Sequence, residues 1–286
     1  MNDQRIAVIT DSGTDTPADF VAAHDVRVVP LRISYADGSS YESGVDITPC
    51  ELVGRLDEEI PKTSLPSPER IRAAFEQARA DGYVAAVFVT ISSGLSATYE
   101  TVRLMAEELE DFPALVVDTK SIGVAAGLVV MEAVHKIETG VPFGLLDREL
   151  RATSERTHVF FSVQTLEFLR KGGRISEAIY RIGSVLNIKP VMTCSEKDGH
   201  YVIAKKARGW QSALDTEVRL AEEQARRWPH VRLAVCCFEN EELADRLEAA
   251  LLRQIDNAIE VVRAGVSSDL LVHTGPSLVG VAVLGL

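Results

Sequence analysis

Hydroxyl and carboxyl side chains in this sequence gather in short polar turns, each directly after an apolar run. Asp11-Ser12 follows residues 6–9, Ser92-Ser93-Gly94-Leu95-Ser96 follows residues 85–91, and Asp118-Thr119 follows residues 114–117. In an open parallel sheet, ligands lie beyond the carboxyl ends of the strands, so these side chains are expected to meet on one edge. The segment Ser93-Gly94-Leu95-Ser96 opens a helical stretch, where free backbone N–H groups and the helix dipole favour an anion. Serine at a helix start is equally a simple cap. Thr63-Ser64, on the proline-braced loop of residues 62–68, carries the same two readings. Leu169-Arg170-Lys171-Gly172-Gly173-Arg174-Ile175-Ser176 sets cations around a Gly-Gly pair, a pattern that brings amides and a guanidinium to one anion. The alternative there is a helix C-cap with solvated basic residues. His273, in His273-Thr274-Gly275-Pro276-Ser277, stands just before the last apolar run, where a lone histidine is ordinarily structural.

Other chemistries find less support. Ser93, His273 and either Asp11 or Asp118 supply the residue types of a hydrolase triad. No serine, however, has the G-x-S-x-G spacing of a nucleophile elbow. The chain has no G-x-x-x-x-G-K-[ST] loop, no G-x-G-x-x-G turn after the first strand and no H-E-x-x-H, so neither nucleotide nor metal is expected. Cys50, Cys194, Cys236 and Cys237 show no C-x-x-C spacing and read as buried reduced thiols.

At 286 residues the chain has length for two domains, and 46% hydrophobic with 25% charged residues is the balance of an ordered globular protein. A net charge of −12 opposes nucleic-acid binding, which needs cations to replace phosphate counterions. Residues 166–210 run against that balance, with nine Lys or Arg and four acids. They form either a solvated face or a site for an anionic group or acidic partner. No run is apolar and long enough for stable membrane insertion, and residues 1–9 lack the basic start and cleavage site of a secretory signal. A cytoplasmic location is expected.

Residues 5–10, 26–34, 85–91 and 114–118 read as strands. Helices are expected from Thr16-Pro17, from the capping-box spacing Thr48-Pro49-Cys50-Glu51, over residues 69–80 behind Ser67, and over 98–109, 127–139 and 143–154. Asp37-Gly38 supplies a hairpin turn into residues 41–45. Strand–helix alternation implies a parallel sheet covered on both faces. After residue 157 the pattern changes: a strand at 159–163, a basic helical region at 166–185, a hairpin pairing 188–193 with 201–204, helices at 210–227 and 240–254, and strands at 232–238, 258–263 and 279–286. The expected fold is α/β in two domains: residues 1–157 as an α/β/α domain with a parallel sheet, and 158–286 as an α/β domain with a mixed sheet. The ligand is expected in the cleft between them.

Taken together, Thr10-Asp11-Ser12, Lys62-Thr63-Ser64-Leu65-Pro66-Ser67, Ile91-Ser92-Ser93-Gly94-Leu95-Ser96-Ala97-Thr98-Tyr99, residues 169–176, Ile188-Lys189-Pro190 and His273-Thr274-Gly275-Pro276 resemble the DegV family in order and extent. The resemblance implies a non-catalytic protein that holds one long-chain fatty acid, such as palmitate or oleate, with its acyl chain in an apolar tunnel. It presents the carboxylate to a separate ATP-dependent fatty acid kinase subunit, which forms the acyl phosphate. The resemblance assigns the carboxylate to Thr63, Ser64, Ser93, Gly94, Ser96 and His273, and the phosphate or kinase to Arg174 and Arg208. It implies no cofactor beyond the bound fatty acid, and a monomer, since the cleft needs no second chain. Leu65, Ala97 and Ser277 depart from the family's frequent Gln, Gly and Gly. The competing readings are a free-standing hydrolase or transferase using Ser93 at the same strand ends, and a lipid sensor using the same pocket.

Overall fold

A computed structural model of the chain describes residues 1–183 and 188–286. Its first half opens with β1 (Ile6–Asp11), a 3-10 turn at Ser12–Thr14, α1 (Ala18–Ala23), β2 (Arg27–Val29), β3 (Arg32–Ser34) and β4 (Ser40–Glu42). Then come α2 (Pro49–Arg55), β5 (Lys62–Ser64), α3 (Pro68–Ala80), β6 (Ala85–Thr90), α4 (Thr98–Glu107), β7 (Ala114–Asp118), α5 (Gly123–Glu138) and α6 (Phe143–Glu155). Strands β2-β1-β6-β7 form an all-parallel sheet. Both its faces are buried, which is why its strands read as continuous apolar runs. Ile6 and Val8 pack toward α5 and α6, while Ala7 and Ile9 pack toward Ile71 and Phe75 of α3 and Val102 of α4.

The second half contains β8 (Thr157–Ser162), α7 (Glu167–Lys171), α8 (Glu177–Gly183), β9 (Ile188–Cys194), β10 (Tyr201–Arg208) and α9 (Trp210–Ala225). It continues with β11 (Val231–Cys237), α10 (Glu241–Gln254), β12 (Ala258–Ala264), α11 (Ser268–Thr274) and β13 (Val279–Gly285). The six-stranded sheet, β10-β9-β8-β13-β11-β12, is mixed: β11 and β12 run parallel and the other pairs antiparallel. Helices α9 and α10 cover one face. The other face meets α5, whose Val124, Ala125, Leu128 and Met131 pack with Val159, Phe161 and Ala282, while its Val129, Val130 and Val134 pack on the parallel sheet. An apolar surface all round is what a helix enclosed between two sheets requires. The fold is thus two α/β domains with α5 between their sheets.

Several local expectations change. Residues 26–34 do not form one strand: Pro30, which has no N–H to donate, separates β2 from β3. Strand β3 belongs instead to a three-stranded antiparallel sheet, β4-β3-β5. Residues 62–64, expected as loop, form β5, because the prolines at 66 and 68 lie beyond its paired residues. The basic region expected as helix over 166–185 is two short helices parted at Gly172-Gly173, and its last residues, 184 and 185, lie outside the described residues. Cys50, expected to be buried, is exposed, because it lies in the first turn of α2 with its Sγ donating to Glu239, whereas Cys236 is buried in β11. Helix α11 (Ser268–Thr274) stands where the sequence pattern predicts none. Its seven residues are all buried, so no polar face marks it in the sequence.

Candidate functional site

Thr63 and Ser64 of β5, Ser96 before α4, Arg174 after α7 and His273 of α11 line one cavity with Leu31, Ile91, Leu95, Ile122 and Tyr201. Register fixes the first pair, since Ile33 of β3 opposes Thr63 and Arg32 opposes Ser64. Thr63 Oγ1 lies 2.6 Å from His273 Nε2. His273 is buried, and its pKa is pushed down to about 3 by that burial and by the Arg174 guanidinium, so the imidazole is neutral at pH 7. Its Nδ1 has no hydrogen-bond partner among the described residues.

Arg174 donates from Nη1 to Gly172 O at 2.6 Å and from Nε to Leu95 O at 3.3 Å. Burial lowers its pKa, but a guanidinium stays charged, and among the described residues no carboxylate lies within ion-pair distance. The Gly-Gly pair makes this placement possible. Gly173 takes φ +73, and a Cβ on Gly172 would fall on His273 Nδ1. The amides of this turn do not face an anion: Gly172, Gly173 and Arg174 donate to Phe168, Arg170 and Leu169 carbonyls. It is a helix C-cap whose guanidinium alone serves the cavity.

The turn of residues 92–96 also departs from expectation. Its N–H groups are occupied: Ser93 N bonds Asp118 Oδ1, Gly94 N bonds Ser92 Oγ, and Leu95 N and Ser96 N bond Ser92 O. Ser93 Oγ donates to Asp118 Oδ2 at 2.6 Å, so Ser93 is exposed and does not line the cavity. No histidine stands between Ser93 and Asp118, and His273 bonds Thr63, so the residues of a triad are not assembled. Gly94 permits a close approach instead, since a Cβ there would lie 2.7 Å from Gly199 C in the β9–β10 turn. Ser92 Oγ donates to Gly199 O across the same junction. Arg208 is exposed at the far end of β10 from Tyr201, about 20 Å away at strand rise, and is not brought to Arg174.

Sequence spacing gave no sign of Tyr201 and Asp269, which also line the cavity. Asp269 accepts from Ser12 Oγ at 2.7 Å and from Ser267 Oγ at 3.2 Å, while Ser267 N donates to Asp15. These bonds dock α11 on the first domain and carry His273 to Thr63. The cavity measures about 30 Å³, the space of a small polar group, well below the roughly 300–1,000 Å³ of a whole-ligand pocket. Around it lies the largest apolar cluster of the molecule, including Leu31, Ile33, Leu52, Leu95, Leu128, Phe161, Leu169 and Leu270. Of the three departures, Ala97 gives α4 no side-chain cap, Ser277 Oγ accepts from Gln164 N at 2.9 Å, and Leu65 is half-buried. Among the described residues no helix is long and apolar enough to cross a membrane, and no group of metal-ligating side chains is present.

The model of the DegV family, described as uncharacterised proteins, matches residues 5–285. A DegV domain-containing protein of Clostridium acetobutylicum is 33% identical over 285 residues, covering 98% of this chain and 99% of its own. The fold is similar to that of a DegV family protein from Thermus thermophilus described by its fatty acid binding, at TM-score 0.90 and 31% identity over 99% of this chain and 100% of that one. It is also similar to a stearic acid-binding protein from Eubacterium ventriosum, at TM-score 0.88 and 25% identity over 98% of each chain. With its length matched from first strand to last, this chain belongs to the DegV family.

Proposed function

We propose that the protein binds one long-chain fatty acid, its carboxylate in the Thr63–Arg174–His273 cavity and its acyl chain among the apolar side chains behind. The observation that carries this reading is a half-buried guanidinium with no carboxylate partner among the described residues, beside a hydroxyl and a neutral imidazole at the edge of the largest apolar cluster. A carboxylate supplies the missing negative charge, and Arg174 pairs with it. Ser64 and Ser96 complete the hydrogen bonding. Burying about 14 methylenes at ~0.8 kcal/mol each contributes ~11 kcal/mol before ordering costs, so the ligand survives purification. The tail enters by parting packed apolar side chains. Fatty acid binding by the Thermus and Eubacterium relatives supports the same reading.

Because the imidazole is neutral, the carboxylate has one ion pair, to Arg174, and not two, which leaves it lone-pair capacity to attack phosphorus and suits presentation to a separate kinase subunit. Without an assembled triad, catalysis by this chain alone has no support. Denaturing extraction and mass spectrometry of the purified protein are expected to release one fatty acid per chain. Thr63→Val is expected to lower retention, and Arg174→Ala to weaken rebinding at least about tenfold, the scale of a charged hydrogen bond. A protein that is empty and refuses added fatty acids sinks the proposal. If fatty acid binds but no kinase phosphorylates it, only the presentation step falls.

A further inference from the structure

A second cavity, of about 470 Å³, opens between the two domains, beyond the carboxyl end of β7 and between α6 and the β8–β9 pair. Both its size and its place at a parallel strand end are those of small-molecule sites. Several of its lining groups are polar and uncharged, among them Thr119, Ser121, Ser154, Thr157 and Thr193. Ser121 is 2% exposed, and its hydroxyl has no hydrogen-bond partner among the described residues, an unfavourable state unless a ligand or water bonds it. His158 lines the same space, and burial lowers its pKa, which keeps the ring neutral at pH 7.

The remaining charges are of both signs, Lys120 and Arg151 against Asp118, Glu155 and Glu196; Arg151 Nε also bonds Asp147 Oδ1 at 2.8 Å and Lys120 Nζ donates to Lys197 O at 3.1 Å, so each cation has further N–H groups to offer. Three carboxylates repel a polyanion, and the two cations repel a simple cation. A molecule bearing one charge of each sign satisfies both. Asp118 has capacity for it: Oδ1 accepts from Ser93 N and Lys120 N, and among the described residues Oδ2 accepts only from Ser93 Oγ. A carboxylate has about four acceptor positions, so one remains on Oδ2.

We propose that this cavity binds a small zwitterion of the α-amino-acid class. Its ammonium meets Asp118 and Glu196, its carboxylate meets Arg151 and Lys120, and a neutral polar side chain reaches Ser121. This site involves none of the residues assigned to the fatty acid carboxylate, so the two assignments stand or fall separately.

The test is titration calorimetry of the full chain with each of the twenty free amino acids, with glucose and inorganic phosphate as the competing chemistries. One or a few neutral polar amino acids are expected to bind saturably. Arg151→Ala, whose side chain is 60% exposed in the parent, is expected to fold and to weaken binding at least about tenfold. Ser121→Ala is expected to weaken polar amino acids while leaving alanine unchanged. A cooperative denaturant unfolding transition with the parent's midpoint serves as the check that each variant is folded. The proposal is overturned if no amino acid binds, if glucose or phosphate binds instead, or if both variants bind as the parent does.

Discussion

His273 and Arg174 share one small cavity, and the guanidinium helps to keep the imidazole neutral. A carboxylate bound as proposed would be balanced by Arg174 alone, with His273 and Thr63 orienting it through hydrogen bonds. This arrangement depends on Gly172, where any Cβ would fall on His273 Nδ1. Gly172→Ala is expected to displace the ring, break the Thr63 contact and cost about 1–3 kcal/mol, as overpacking does. Gly173→Ala meets no neighbouring atom and is expected to add only backbone strain at φ +73, about 1–2 kcal/mol. Denaturant unfolding with a fatty acid assay separates them: both lose stability, and Gly172→Ala also loses ligand. The types and motifs of Thr63, Arg174 and His273 were legible in the sequence. The direction of Ser93 was not, because Asp118 and the turn at Gly199 decide it from distant parts of the chain.

At the scale of elements, α5 carries the largest share of the internal packing, facing a sheet on either side. Leu128 is fully buried in the cluster that surrounds the Thr63–Arg174–His273 cavity. Leu128→Ala is expected to cost about 2–5 kcal/mol, measured by denaturant unfolding; a loss below 1 kcal/mol would mean that the two sheets do not depend on this helix. The strands of the parallel sheet were legible because each is an apolar run long enough to stand out, and the α2 and α3 caps because Thr48 and Ser67 bond the expected amides. The three-residue strands β3, β4 and β5 are too short to show alternation, and only pairing reveals them. Helix α11, buried on every side, lacks the amphipathic period by which helices are recognised.

Across the whole molecule, buried carboxyl groups couple stability to pH. Asp11 accepts backbone N–H bonds from Ile91 and Gly13, yet burial pushes its pKa up to about 8. Burial also carries Asp15 and Glu217 well above the carboxylate range, and neither Glu217 oxygen has a hydrogen-bond partner among the described residues. Such groups hold protons that the unfolded chain, with pKa near 4, releases, so stability falls as pH rises toward the folded values. His273 and His158, shifted down, act in the opposite sense, but only below about 6.5, where an unfolded histidine becomes charged. Between about pH 6.5 and 8 the carboxyls act alone, and stability is expected to decline by on the order of 1 kcal/mol per pH unit for each. Glu217→Gln is expected to flatten that decline; a level profile in the parent would contradict it. The order of strands in the mixed sheet has a further consequence. Strand β13, nearest the C-terminus, lies between β8 and β11. During synthesis the ribosome therefore releases β8 and β11 as two open edges with no partner between them, and residues 279–285 close the gap late. Until then the nascent chain is most exposed to pairing with a neighbour, and chaperone capture and aggregation would concentrate in that interval.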